Sequence, residues 1–159
     1  MRIFLDANIL FSAAKSNGAV RRLLDMLLDA GHDCVVDPYV TEEARRNLAA
    51  KAPAGVGFLE SLSLRLKKVS VQAQPPVFET DPPLPADDRP VLASAIHNRC
   101  DALVTGDRTH FGPLYGKTIQ GVAIHSPRSL AEALGLAPTG TRDALHAPKA
   151  AYTVRRRSR

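Results

Sequence analysis

A chain of 159 residues, of which 45% are hydrophobic and 23% charged, is long enough to form one globular domain with an adequate core. It contains no apolar run of membrane-spanning length and no N-terminal secretion signal, so we expect a cytoplasmic protein that is neither exported nor bound to a membrane. The net charge of +5 suits a polyanionic partner, although Arg155, Arg156, Arg157 and Arg159 carry most of it, which indicates a basic, flexible tail over residues 137–159.

Short apolar runs alternate with stretches of helical periodicity along the first 136 residues. In chain order, these patterns predict a strand at 2–6, a loop that follows it from Asn8 through residues 16–18, a helix from 20 to about 30, a strand at 34–36, helices over 38–48 and 56–66, and a short strand at 69–72. They then predict a proline-rich loop over 75–86, a helix that includes 91–96, strands at 102–104 and within 121–126, and a helix from 127 to near 135. Parallel neighbouring strands need crossover connections. The alternation therefore predicts an α/β domain over residues 1–136, with a mainly parallel central sheet and helices on both faces.

The sequence contains two cysteines, Cys34 and Cys100. They lack the spacing of a metal site or a disulfide framework. We expect both to be buried thiols.

Two acidic residues come at the ends of predicted strands. Asp6 ends the first strand, and Asp107 follows the strand at residues 102–104. Ligands of α/β sheets bind at the carboxyl ends of the strands. We therefore expect these two carboxylates at one functional edge of the sheet.

Two further acids are placed by helix geometry. At about 100° per residue, Glu43 borders the buried face of its helix, whereas Glu42 points to water. Asp88 lies on the inner side of the next helix start, and Asp87 is the better N-cap. Asp88 is the preferred inward residue, with its neighbour as the alternative.

Carboxylates that share one edge repel each other. Two unit charges about 4 Å apart cost roughly 4 kcal/mol at an effective dielectric constant of about 20. An acidic pocket without clustered His or Cys suits Mg²⁺ or Mn²⁺. Such ions activate water and stabilise the leaving oxygen in phosphodiester hydrolysis.

Polar and basic residues flank the predicted acids. Asn8 and Thr105 are either turn residues or hydrogen-bond partners that orient the acids and metal-bound waters. Arg89 and Arg108 each follow a predicted ligand and are candidates either for phosphate binding or for solvated surface positions. We expect three histidines to be structural or exposed, without pairing: His97, His110 and His125.

Three segments together resemble the PIN-domain nucleases, and especially the VapC-like toxin components of bacterial type II toxin–antitoxin systems. LDANIL resembles the family's opening strand, VTEEARRNL the helix whose Glu lies five residues before a Leu, and DRPVLASAIHNRCDALVTGDRTHF the block with an acid at its head and T-x-D near its end. The resemblance implies a PIN-like three-layer fold and places the family's metal ligands on Asp6, Glu43, Asp88 and Asp107. It also implies Mg²⁺- or Mn²⁺-dependent hydrolysis of RNA, an antitoxin partner and a homodimer.

Two other classes of function compete with this interpretation. A phosphoryl-transfer protein also carries acids at strand ends, but a phosphatase of the aspartyl-phosphate type needs D-x-D, whereas Asp6 is followed by Ala7 and Asn8. A receiver domain needs an acid pair near the first strand and a late Lys, and neither is evident. A non-catalytic module that binds RNA or protein should tolerate the substitution Asp6→Asn.

Overall fold

Strands and helices alternate in the computed structural model, which describes residues 1–71 and 77–136. The strands are β1 (Arg2–Leu5), β2 (Asp33–Val36), β3 (Lys67–Lys68), β4 (Ala102–Val104), β5 (Thr118–Ile119) and β6 (Val122–His125). The helices are α1 (Ala7–Lys15), α2 (Ala19–Asp29), α3 (Pro38–Lys51), α4 (Val56–Ser63), α5 (Arg89–His97) and α6 (Pro127–Ala133). The predicted basic tail, 137–159, and the start of the proline-rich loop lie outside the described residues.

The sheet has the strand order β3-β2-β1-β4-β6-β5. β1 pairs in parallel with β2 on one side and with β4 on the other, where Leu5 is aligned with Val104. Only the short pair β5 and β6 is antiparallel among the described strands. The chain leaves β1 towards β2 and later returns to β4 on the opposite side, so the strand order reverses between β1 and β4. Ligands of open α/β sheets bind at such a reversal.

Both faces of the sheet are covered. Ile3, Phe4 and Leu5 are each 0% exposed, although successive side chains of a strand point to opposite faces. Continuous burial of this kind is typical of a parallel sheet packed between helices. The predicted α/β fold, with a mainly parallel central sheet and helices around it, is confirmed.

The loop predicted after the first strand is wrong over residues 7–15, which form α1, and is confirmed at residues 16–18. Asp6 is the N-cap of this helix and accepts a hydrogen bond from the amide of Ala7. Ile9 and the five residues that follow it are all buried. A helix that is buried all round has no amphipathic stripe, which is why its periodicity was not visible in the sequence.

Two short edge strands also differ from expectation. The short strand predicted at 69–72, of which residue 72 lies outside the described residues, is displaced to the two residues of β3, and the amide of Val69 then donates to Val36 O at 2.9 Å. β5 was not predicted, because two residues are too few to show alternation. Neither strand contributes to the centre of the sheet.

Two remaining expectations concern the cysteines and the membrane. Cys34 and Cys100 are buried free thiols, as predicted. Within the described part of the chain, no helix combines the length and the apolar character needed to cross a membrane.

Candidate active site

Asp6 lies where β1 ends beside β4, and its side chain is only 4% exposed. Its Oδ1 accepts the amide of Ala7 at 2.7 Å, and its Oδ2 accepts the hydroxyl of Thr105 at 2.8 Å and Nδ2 of Asn8 at 3.1 Å. The backbone amide of Asp6 donates to Val104 O, which ties it to β4. The carboxylate is therefore held in one orientation by three donors.

Burial raises the pKa of Asp6 to about 6. The hydrogen bonds from Thr105 and Ala7 oppose this rise, and the negative charges of Glu43 and Asp107 add to it. At neutral pH the carboxylate is mostly ionised, although it is almost removed from water. A cation at this edge would offset that buried charge.

Thr105 and Asn8 connect the two strand ends. The hydroxyl of Thr105, a fully buried residue, accepts the amide of Asp107 at 3.1 Å and Nδ2 of Asn8 at 3.3 Å. Asn8 Oδ1 accepts the amide of Gly106 at 2.6 Å. Both residues are hydrogen-bond partners of the acids, which was one of the two alternatives that the sequence left open.

Asp107 begins a tight turn that brings a histidine back towards it. Its Oδ1 accepts the amides of Thr109 and His110, each at 3.1 Å. The imidazole Nδ1 of His110 then lies 2.9 Å from Asp107 Oδ2 and 2.8 Å from Asp88 Oδ2. The turn thus joins two of the predicted acids through one ring nitrogen.

Asp88 immediately precedes α5, but its side chain caps no amide of that helix. Its carboxylate contacts the imidazole of His110 instead. Burial and the charges of Asp107 and Asp6 raise the pKa of Asp88, and only His110 lowers it. Asp87 is exposed and does not occupy the N-cap position, so the prediction that it caps the helix is wrong. The inward choice of Asp88 agrees with its half-buried position.

The fourth predicted acid, Glu43, lies on α3. It is half-buried and Glu42 is exposed, as helix geometry predicted. Tyr39, one turn earlier on α3, donates its hydroxyl to Asp87 O at 2.7 Å and so joins α3 to the start of α5. Burial raises the pKa of Tyr39, and so do the charges of Glu43, Asp87, Asp88 and Asp6, listed in order of effect. All these carboxylates are therefore within electrostatic reach of one phenol ring.

The two predicted arginines have different surroundings. The guanidinium of Arg89 donates to Leu84 O at 3.1 Å and to Pro82 O at 3.0 Å, and it lies 2.6 Å from Asp81 Oδ1. It holds the loop that precedes Asp88. Arg108 is exposed, directly after Asp107.

The expectation that His110 has no pairing is wrong, because its imidazole contacts two acids. The turn at Asp107 brings the side chain to them. The spacing of three residues between an Asp and a His in a turn was the available sequence signal. His125 lies at the end of β6 with Nδ1 2.9 Å from Ser129 Oγ, and burial lowers its pKa. His97 is exposed at the far end of α5.

A family model described as PIN domain matches residues 2–109. The chain belongs to the PIN-domain family. PIN domains are generally nucleases, and they use divalent metals. The matched range includes Asp6, Glu43, Asp88 and Asp107 and ends one residue before His110.

Two solved structures share this PIN fold. VapBC2 from Rickettsia felis, bound to a DNA fragment from its promoter, has a TM-score of 0.55 and 14% identity, over 79% of this chain and 98% of that chain. FitAB bound to the IR36 DNA fragment has a TM-score of 0.55 and 20% identity, over 79% of this chain and 94% of that chain. No curated protein matches the sequence. At these identities the likeness supports the fold.

The side chains at this edge of the PIN fold fit a divalent cation. Asp88, Asp107 and His110 each offer one ligand atom, and these atoms all lie within 4.8 Å of one another. The buried carboxylate of Asp6 adds negative charge from the sheet, and Glu43 adds it from α3. Carboxylate oxygens are the ligands that Mg²⁺ and Mn²⁺ prefer.

Proposed function

We propose that the protein is a Mg²⁺- or Mn²⁺-dependent ribonuclease that hydrolyses RNA phosphodiester bonds. The observation that carries the proposal is the convergence of Asp6, Asp88 and Asp107 at the carboxyl ends of β1 and β4, with Glu43 facing them from α3. These acids come from separate elements, and a cluster of this kind has a high electrostatic cost without a bound cation. PIN-domain membership supports nuclease chemistry at this edge.

Each side chain has a defined role in this proposal. Asp88 and Asp107 hold the cation, Asp6 binds it directly or through water, and Glu43 completes the acidic rim or holds a second ion. A bound divalent cation supplies a more acidic water and neutralises charge on the phosphate. Asn8 and Thr105 fix the orientation of the Asp6 carboxylate.

The arginines are proposed to act differently from each other. Arg108 is exposed beside Asp107, where it would meet a substrate phosphate. Arg89 is engaged with loop carbonyls and would act by fixing the loop in front of Asp88. Of the two arginines, Arg108 is therefore the one that we propose to bind substrate phosphate.

We further propose a cytoplasmic toxin role, with a cognate antitoxin as protein partner and a homodimer as the assembly. The support is the VapC-like resemblance of three sequence segments and the fold shared with VapBC2 and FitAB. Expression from an inducible promoter in a bacterium should arrest growth with wild type and not with Asp6→Asn. Equal arrest by both proteins would contradict a toxic nuclease.

A phosphoryl-transfer role has less support. A phosphorylated aspartate needs a carboxylate oxygen that is available to attack phosphorus. Both oxygens of Asp6 accept hydrogen bonds, from Ala7 on one side and from Thr105 and Asn8 on the other. This arrangement suits an orienting anion better than a nucleophile.

The test is cleavage of single-stranded and structured RNA with Mn²⁺, Mg²⁺ or EDTA. Wild type should cut only with metal, and Asp6→Asn and Asp88→Asn should reduce the rate by at least about 1,000-fold, as expected for loss of cation-centred charge stabilisation. The matched control is Asp87→Asn, which changes an exposed acid one residue away and should keep the rate within about threefold. RNA binding without cleavage under every condition would favour a non-catalytic binding module.

A further inference from the structure

The imidazole of His110 takes a position that the predicted set of acids does not explain. Its Nδ1 lies 2.8 Å from an oxygen of Asp88 and 2.9 Å from an oxygen of Asp107. The side chain is 45% exposed, so it is not held there by packing in the core. The backbone turn at Asp107 directs it to this point.

Two of the three separations between these atoms match those of neighbouring ligands on one ion, and all three atoms lie within 4.8 Å of one another. Two ligand atoms at right angles around an ion, with bonds of about 2.1 Å, lie about 3 Å apart. The two measured separations, 2.8 Å and 2.9 Å, are close to this value. A cation could therefore bind all three groups with small movements of the side chains.

The contacts of Nδ1 with two carboxylate oxygens are hydrogen bonds that need a proton on Nδ1, and a bound cation would replace that proton. Nδ1 can bind an ion only when the proton of the neutral ring is on Nε2. Because the side chain of His110 is partly exposed, Nε2 can donate that proton to water.

We propose that His110 is a further metal ligand, which binds through Nδ1 beside Asp88 and Asp107 and makes the site select Mn²⁺ over Mg²⁺. Mg²⁺ retains oxygen ligands, whereas first-row transition metals bind imidazole nitrogen more readily. The inference rests on the proposed function in one respect, namely that this edge of the sheet binds a divalent cation.

The opposite role for His110 makes a different prediction. If the imidazole only neutralises the two acids in the metal-free protein, it competes with every cation. Its removal would then strengthen the binding of both Mn²⁺ and Mg²⁺. A ligand, by contrast, strengthens the binding of Mn²⁺ in particular.

The experiment measures free Mn²⁺ by electron paramagnetic resonance during titration of the full chain, with Mg²⁺ affinity obtained by competition. Wild type should prefer Mn²⁺ by at least about tenfold. His110→Ala should weaken Mn²⁺ binding by at least about tenfold and Mg²⁺ binding by less than about threefold. His110→Asp should restore binding with an oxygen ligand and lower the ratio of Mn²⁺ to Mg²⁺ affinity. The matched control, His97→Ala, changes an exposed histidine at the far end of α5 and should leave both affinities unchanged.

Pulsed electron paramagnetic resonance gives a direct readout of the bond. Wild type loaded with Mn²⁺ should show coupling to an imidazole nitrogen, and His110→Ala should not. Stronger binding of both ions by His110→Ala, or a wild-type spectrum without nitrogen coupling, would overturn the proposal.

The two proposals can fail separately. If wild type binds Mn²⁺ through nitrogen but cuts no RNA, the ribonuclease proposal fails and the ligand assignment stands. If wild type cuts RNA with metal and His110→Ala keeps its Mn²⁺ affinity, only the ligand assignment fails.

Discussion

The hydroxyl of Thr105 is expected to stabilise the junction between β1 and β4 more than any packing contact of the same side chain. It donates to Asp6 at 2.8 Å and accepts the amide of Asp107 and Nδ2 of Asn8. Because the residue is 0% exposed, water cannot take the place of the hydroxyl. Thr105→Val keeps the size of the side chain and removes the hydroxyl. A hydrogen bond to a charged group contributes about 1.5–3 kcal/mol, and an unsatisfied buried donor costs about 1–3 kcal/mol. Because the amide of Asp107 is only partly buried, the two costs do not add in full, and we expect a loss of about 2–4 kcal/mol in the free energy of unfolding.

Urea denaturation at pH 7 without metal measures this loss. The control is Thr105→Ser, which keeps the hydroxyl and removes one methyl group, at a cost of about 1 kcal/mol. Because the Thr105 hydrogen bond lowers the pKa of Asp6, the valine variant should also move the acid limb of the cleavage profile to higher pH. The reasoning is refuted if the valine variant is as stable as the serine variant and its pH profile is unchanged.

Three other predictions concern stability in the metal-free protein. The folded-state pKa of Asp6 is raised from 3.8 to about 6, so its contribution is fully present below about pH 4 and is lost as the pH rises through about 6. The unfolding free energy of wild type relative to that of Asp6→Asn should therefore fall by roughly 2 kcal/mol between pH 4 and pH 7 and then remain constant, as measured by urea denaturation. Gly55→Ala should lower the free energy of unfolding by about 1–3 kcal/mol, because its Cβ would lie 2.7 Å from Ala14 O. In Gly57→Ala the added Cβ meets no atom within 4 Å, so this variant should stabilise α4 by about 0.5–1 kcal/mol in thermal unfolding. Tyr39→Phe loses one hydrogen bond between α3 and the start of α5, and calorimetry should show a loss of about 1 kcal/mol.

The strand-end acids could be predicted because the information is local. A buried strand ending in an acid, together with the rule for parallel sheets, was enough to place Asp6 and Asp107 at one edge. The helix acids followed from periodicity, and Glu43 and Asp88 are both half-buried. These residues needed only the pattern within their own elements.

The parts that sequence reasoning missed depend on contacts between elements. α1 was missed because tertiary burial on all sides removed its amphipathic pattern. His110 was missed because its position needs both the turn at Asp107 and a carboxylate from the start of α5, which lies 22 residues earlier in the chain. Tyr39 reaches Asp87 O across 48 positions in the same way.

The acids of the site divide into one that is buried and firmly held and two that are half-buried, and this division predicts which of them contribute most to cation binding. Asp6 is buried and held by three donors, whereas Asp88 and Asp107 are half-buried and share one partly exposed imidazole. A cation approaching from solvent would first meet the half-buried acids, with the charge of Asp6 acting from the sheet. Asp88→Asn and Asp107→Asn should therefore weaken Mn²⁺ binding by at least about tenfold more than Asp6→Asn, although all three abolish cleavage. If Asp6→Asn loses as much Mn²⁺ affinity as the other two, the buried acid is itself a direct ligand and the division is wrong.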